Sequence, residues 1–199
     1  MSYIKNLLVC GMTVATSIAI ADDDPLSFFL SVGGAHQRIS TGTSSGKYAF
    51  SGVAPKLSAG IRYQATDKYG FALSGGALLG TVDDTNISFE ARNYTVRNQT
   101  TVIVNFEPSY FMDYNHRIFG IAGASTYKMA LLGDNINHLN TKPHYGLGYE
   151  VRLTHEFSVI LSGIAGKASS IVLSTQADPH VPLNPFKYYR FGAEVVYTL

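Results

Sequence analysis

The sequence predicts an all-β protein, an eight-stranded antiparallel up-and-down transmembrane β-barrel. Three observations predict it. Eight stretches alternate with period two, and none carries a helical period. Across these stretches one face is apolar, while the other gathers charged and small residues. The chain also ends inside a strand. In "YYRFGAEVVYTL", Tyr189, Phe191, Ala193, Val195, Tyr197 and Leu199 share one face, and Tyr188, Arg190, Gly192, Glu194, Val196 and Thr198 share the other. In lipid an unpaired strand edge has no water to satisfy it, so a final strand of this kind must close on the first.

The eight stretches follow in order. The first spans residues 26–37, with Leu26, Phe28, Leu30 and Val32 on the apolar face. The second, about 54–65, places Leu57, Ala59, Ile61 and Tyr63 there, opposite Lys56 and Arg62. The third, about 70–80, gives Phe71, Leu73, Ala77 and Leu79. The fourth, about 100–112, gives Val102, Val104, Phe106 and Tyr110 opposite Glu107. Pro108 within it lacks an N–H for the ladder, and a bulge or a strand boundary is expected there. The fifth, about 117–128, is read with Phe119, Ile121 and Tyr127 outward and Lys128 inward. The sixth, about 143–154, turns Tyr145, Leu147, Tyr149, Val151 and Leu153 outward and Glu150 and Arg152 inward; the seventh, about 157–167, turns out Phe157, Val159 and Leu161. The closing strand is the eighth.

Connections alternate in length. "TDKY", "DYNH" and "HE" are tight turns, and the polar stretches 38–53, 81–99, 129–142 and 168–185 are read as long loops. With eight strands both termini then lie at the short-turn end. Aromatic residues cluster near strand ends, as membrane-interface girdles do. Tyr63, Phe71, Tyr110, Phe119, Phe157 and Tyr197 lie near the turns, and Phe50, Tyr127, Tyr145, Phe186 and Tyr188 near the loops. A soluble barrel would hold the apolar face inside; small residues sharing a face with charges fit a crowded interior instead.

The N-terminus reads as a signal peptide, residues 1–21. Lys5 precedes the apolar run "LLVCGMTVATSIAIA", and the small-residue pattern ending at Ala21 is followed at once by Asp22. Cleavage between Ala21 and Asp22 removes Cys10, the single cysteine, so no disulfide braces the exported domain, residues 22–199. Charged residues make up 15% of the chain, against about 25% in soluble domains. The net charge of +1 gives no nucleic-acid footprint.

Catalytic and metal motifs are lacking. The six histidines form no H-x-x-x-H or H-E-x-x-H pair and none is followed by Ser two positions on, so neither enzyme activity nor a cofactor is expected. The inward charges carry more content. Arg62, Glu107, Glu150, Arg152, Arg190 and Glu194 fall inside a barrel with room only for side chains and a few waters. Unpaired, they would cost several kcal/mol each, roughly, so a salt-bridged lumen is expected.

The segments "APKLSAGIRYQ", "IFGIAGASTYK", "YGLGYEVRLTHEFSVILSG" and "FGAEVVYTL", in this order and spacing, resemble the small eight-stranded outer membrane barrels of the outer membrane protein A and opacity-protein type, in the pattern of neisserial surface protein A. The resemblance covers residues 22–199. It implies a Gram-negative outer membrane location, contact with membrane lipid and lipopolysaccharide, and an assembly machinery that reads the outward face of the last strand at Tyr197 and Leu199. Leu199 stands where the family usually ends in Phe. It further implies work done by surface loops, in adhesion, host or environmental contact or envelope integrity; the alternative is a small channel or a transporter of small or hydrophobic compounds.

Overall fold

The computed structural model describes residues 25–43, 46–89, 92–132, 137–168, 171–173, 181–183 and 186–199. The signal segment and its cleavage point at Ala21 and Asp22 lie outside them. Among the described residues ten strands occur: β1 Leu26–Thr43, β2 Gly46–Gln64, β3 Tyr69–Phe89, β4 Arg92–Phe111, β5 His116–Leu132, β6 Asn137–Arg152, β7 Phe157–Ala168, β8 Ile171–Leu173, β9 Val181–Leu183 and β10 Phe186–Thr198. Eight close into an antiparallel barrel, each pairing with its chain neighbour and β1 with β10; β8 and β9 form a separate two-stranded hairpin.

The seam is tightly registered. Phe29 faces Thr198, Val32 faces Val195, and pairing runs on to Ser40 opposite Lys187. The Leu199 N–H donates to the Phe28 carbonyl at 2.8 Å, so the last residue is tied to the first strand.

The wall is inside out relative to a soluble protein. Leu147, Phe191 and Val104 are 68, 65 and 60% exposed, while Arg62, Glu107, Arg117, Glu150, Arg190 and Glu194 are all buried. Only a lipid surround makes the apolar exterior favourable. Turn-end aromatics pair across this wall, Tyr63 on Phe71 at 5.4 Å and Phe157 on Tyr197 at 5.1 Å between ring centroids.

Several expectations need correction. Strand five has the opposite facing. Arg117, Phe119, Ile121, Ser125 and Tyr127 are buried in the lumen, and Ile118 and Ala122 are exposed on the wall. The physical reason is that Arg117 reaches the carboxylates inside, and its parity carries Phe119 inward. Gly148 on β6 makes room, since a Cβ there would sit 2.1 Å from the Phe119 ring. Likewise Phe50, Tyr127, Phe186 and Tyr188 form no girdle; all four are fully buried.

The strands also run further than the sequence suggests. Most of 38–53 and 81–99 continues as paired strand, because "TGTSSGKYAF" and "NISFEARNYTVRN" supply β-branched, aromatic and polar residues that suit a hairpin in water. Pro108 produces neither bulge nor boundary. The β4–β5 ladder skips from Phe106↔Ala122 to Ser109↔Phe119 without a register shift. Irregularities instead fall higher up, between Leu79 and Thr85, where Gly80 takes φ +111°.

Candidate functional site

The lumen is built in layers. Nearest the short turns, Glu150 receives two cations. Arg62 Nη2 donates to both its oxygens at 2.9 and 3.0 Å, and Arg117 Nε stands 2.7 Å from Oε2. Arg117 also approaches Glu107 at 3.8 Å, donates to Ser109 Oγ at 3.1 Å, and lies 4.3 Å over the Phe119 ring. A second ion pair joins Lys56 to Glu194, whose other oxygen accepts from Ser31 at 2.7 Å and Ser58 at 2.9 Å. Each buried carboxylate thus meets a cation or several donors, as the low-dielectric interior demands.

Above these lies a neutral relay. Ser74 donates to Glu107 Oε1 at 2.7 Å, and the Asn105 amide donates to Ser74 at 3.2 Å. That fixes Asn105 Oδ1 as the acceptor from His144 Nε2 at 2.7 Å. His144 Nδ1 then accepts from Ser125 at 2.9 Å, and Arg190 Nη2 donates to the same hydroxyl at 3.4 Å. The set Ser125, His144 and Asn105 has the composition of a nucleophile, a base and an orienting amide, and all three side chains are buried in the lumen.

The loop end of the lumen is filled by rings. Tyr127 packs against Tyr188 at 5.1 Å and Phe186 at 5.5 Å, and Phe50, Ile39 and Met129 are buried with them. Gly166 carries no Cβ where Tyr188 lies, and the Tyr188 hydroxyl donates to the Pro143 carbonyl at 2.6 Å. Among the described residues the best-formed lumen cavities measure about 20 Å³ and about 10 Å³. Such volumes hold single waters.

Of the sequence-proposed lumen charges, Arg62, Glu107 and Glu150 share one cluster. Glu194 belongs to the Lys56 pair, and Arg190 joins through Ser125. Arg152 is a correction. It ends β6 at the short-turn mouth, half-buried, with its guanidinium 4.7 Å over the Tyr114 ring. It sits one layer below the carboxylates, so it reaches an exposed ring instead of an acid. Sequence reasoning missed Arg117, the central cation. The signal was present, because turning Phe119 outward also turns Arg117 outward, onto the apolar face. Tyr197 lies on the wall between Leu30 and Phe157.

No family model matches the chain, and no curated protein matches it. Solved structures do. The attachment invasion locus protein Ail of Yersinia pestis, in complex with the heparin analogue sucrose octasulfate, superposes with a TM-score of 0.54 at 14% identity, over 87% of this chain and 99% of that one. Neisserial surface protein A gives 0.53 at 15% identity, over 85% and 96%. The outer membrane protease OmpT of Escherichia coli gives 0.53 at 10%, over 92% and 99%. The chain therefore has the fold of these outer membrane β-barrels, and its exposed apolar wall fits a lipid surround.

Proposed function

We propose that this protein is a nonconducting outer membrane barrel that works through its extracellular end, contacting surfaces or macromolecules outside the cell. The supporting observation is the filled lumen, with water-sized cavities beneath a buried aromatic cap. The length of the strands supports it further. Crossing the bilayer takes about 9–11 tilted residues, whereas β3 has 21 and β4 has 20. Their hairpin rises roughly 25 Å beyond the lipid, a rigid platform for recognition. We propose also that residues 1–21 are removed, so that intact mass of the membrane protein gives Asp22 as the first residue.

The experiment is replacement of 81–99 and 168–185 with short Gly/Ser linkers. The residues removed from β3 and β4 lie beyond the length needed to cross the bilayer, and closure entropy grows slowly with loop length, so a folded, heat-modifiable barrel should persist. Adherence to cells or to immobilised sulfated glycans, the latter suggested by the ligand of the Yersinia neighbour, should be lost. A trimmed barrel that adheres like wild type would remove this reading.

A further inference from the structure

One buried charge in the lumen has no counterpart. Among the described residues the buried cations are Lys56, Arg62, Arg117 and Arg190, and the buried acids are Glu107, Glu150 and Glu194. Glu194 takes Lys56, while Glu150 and Glu107 take Arg62 and Arg117. His144, accepting at Nδ1 and donating from Nε2, is neutral. Arg190 is left over. Its Nη2 donates to the Ser125 hydroxyl at 3.4 Å, and its Nη1 is buried without a hydrogen-bond partner. Along β10 the acid is Glu194, roughly 13 Å down the strand and already shared by Lys56, Ser31 and Ser58.

The usual escape is closed. A buried lysine can shed its proton, but a guanidinium stays charged. An uncompensated buried cation is costly, and a negative charge beside it removes most of that cost. Gln37 is the direct partner of Arg190 across the β1–β10 ladder, fully buried, with neither amide atom hydrogen-bonded. Turning its oxygen to Nη1 would supply an acceptor but no charge. Turning its nitrogen to the same point gives two convergent donors, the pattern that holds an anion.

Position and size select the anion. On β10 Arg190 lies between Glu194 of the ion pairs and Tyr188 of the ring cap, and all three are buried. The larger lumen cavity, about 20 Å³, reaches Ile164, the residue paired with Arg190 on β7. Space of that order admits a water or a monatomic ion and excludes a phosphate, a sulfate or an organic acid. A water leaves the charge uncompensated, so the ion is favoured.

We propose that Arg190 and Gln37 bind a chloride-sized monovalent anion inside the barrel, between the ion pairs and the aromatic cap. The site asks nothing of the extracellular loops, so this inference and the surface reading can fail separately.

The mature barrel is refolded into neutral detergent micelles in sodium chloride or in sodium gluconate at equal ionic strength, and its urea midpoint is read over a chloride titration. Refolding in each salt lets the anion enter before the lumen closes. The wild-type midpoint should rise saturably with chloride, and gluconate, too large for the lumen, should not substitute. Arg190→Met should flatten the titration, with half-saturation moved up at least about tenfold. Gln37→Glu places a carboxylate opposite Arg190. In gluconate it should match or exceed the chloride-loaded wild type, and it should no longer respond to chloride. Wild-type crystals grown in bromide should show an anomalous peak within hydrogen-bond distance of Arg190 Nη1. If Arg190→Met does not refold, Gln37→Glu and the bromide crystal decide. Equal wild-type midpoints in the two salts, a chloride response kept by both variants, or bromide found only on the outer surface would overturn the site. So would a Gln37→Glu barrel weaker than wild type in gluconate, since its new acid would then have met no unpaired cation.

Discussion

Glu150 shows how much rests on single side chains in this lumen. It holds Arg62 and Arg117 together, and both guanidiniums are buried. Glu150→Gln leaves two cations with one weak partner, Glu107 at 3.8 Å, and should cost about 3–5 kcal/mol in urea unfolding. Adding Arg117→Met removes one orphan, so the double variant should lose less than the two single losses summed, by at least about 1 kcal/mol. Arg152→Gln, which faces only the Tyr114 ring, should cost under about 1 kcal/mol. Additive losses would mean that Glu150 and Arg117 do not share a network. At the chain end, Leu199→Asp should fail to assemble while Leu199→Phe assembles at least as well as wild type, because the last residue is tied beside Phe28 at the membrane edge. Normal membrane levels of the Asp variant would refute this. Composition and parity made Arg62, Glu107, Glu150 and Glu194 legible as inward groups. The relay through Asn105, His144 and Ser125 was not, because neutral polar residues carry no facing signal of their own.

Among the elements, β5 is where reading by hydropathy breaks down. Its lipid face includes Ile118, Gly120, Ala122 and Ala124, and its lumen face includes Phe119, Ile121 and Tyr127. A small barrel fills its interior with whatever volume is missing, so large apolar residues are drawn inward opposite small ones such as Gly148. Small residues on the wall cost little, since lipid chains adapt to them. Where a strand carried an inward charge or a turn-end aromatic pair, as β2, β4 and β10 do, the facing was legible; β5 carried its charge at Arg117, beside the turn, where an outward Arg raises no alarm. Cysteine variants labelled with an environment-sensitive dye check the facing. A label at Ala122 should be quenched by brominated lipid, and one at Ile121 should not. The reverse pattern would restore the reading with Phe119 outward.

For the whole molecule, the eight strands and their closure follow from period and length. What lies inside follows from volume, which sequence periodicity does not report. Two layers cross the lumen, ion pairs toward the short turns and Phe50, Tyr127, Phe186 and Tyr188 toward the loops. Wild-type barrels in planar bilayers should therefore be silent. Truncating the cap, with Tyr127→Ala and Tyr188→Ala together, should cost several kcal/mol, roughly, of stability for two buried rings. It should still give no steady current, because Lys56–Glu194 and the Arg62–Glu150–Arg117 cluster remain across the bore. Steady conductance from the wild type would show that the lumen opens in the membrane, and the transport reading would then replace the surface one. Steady conductance from the truncated variant alone would show that the ionic layers leak and that the aromatic cap is the seal.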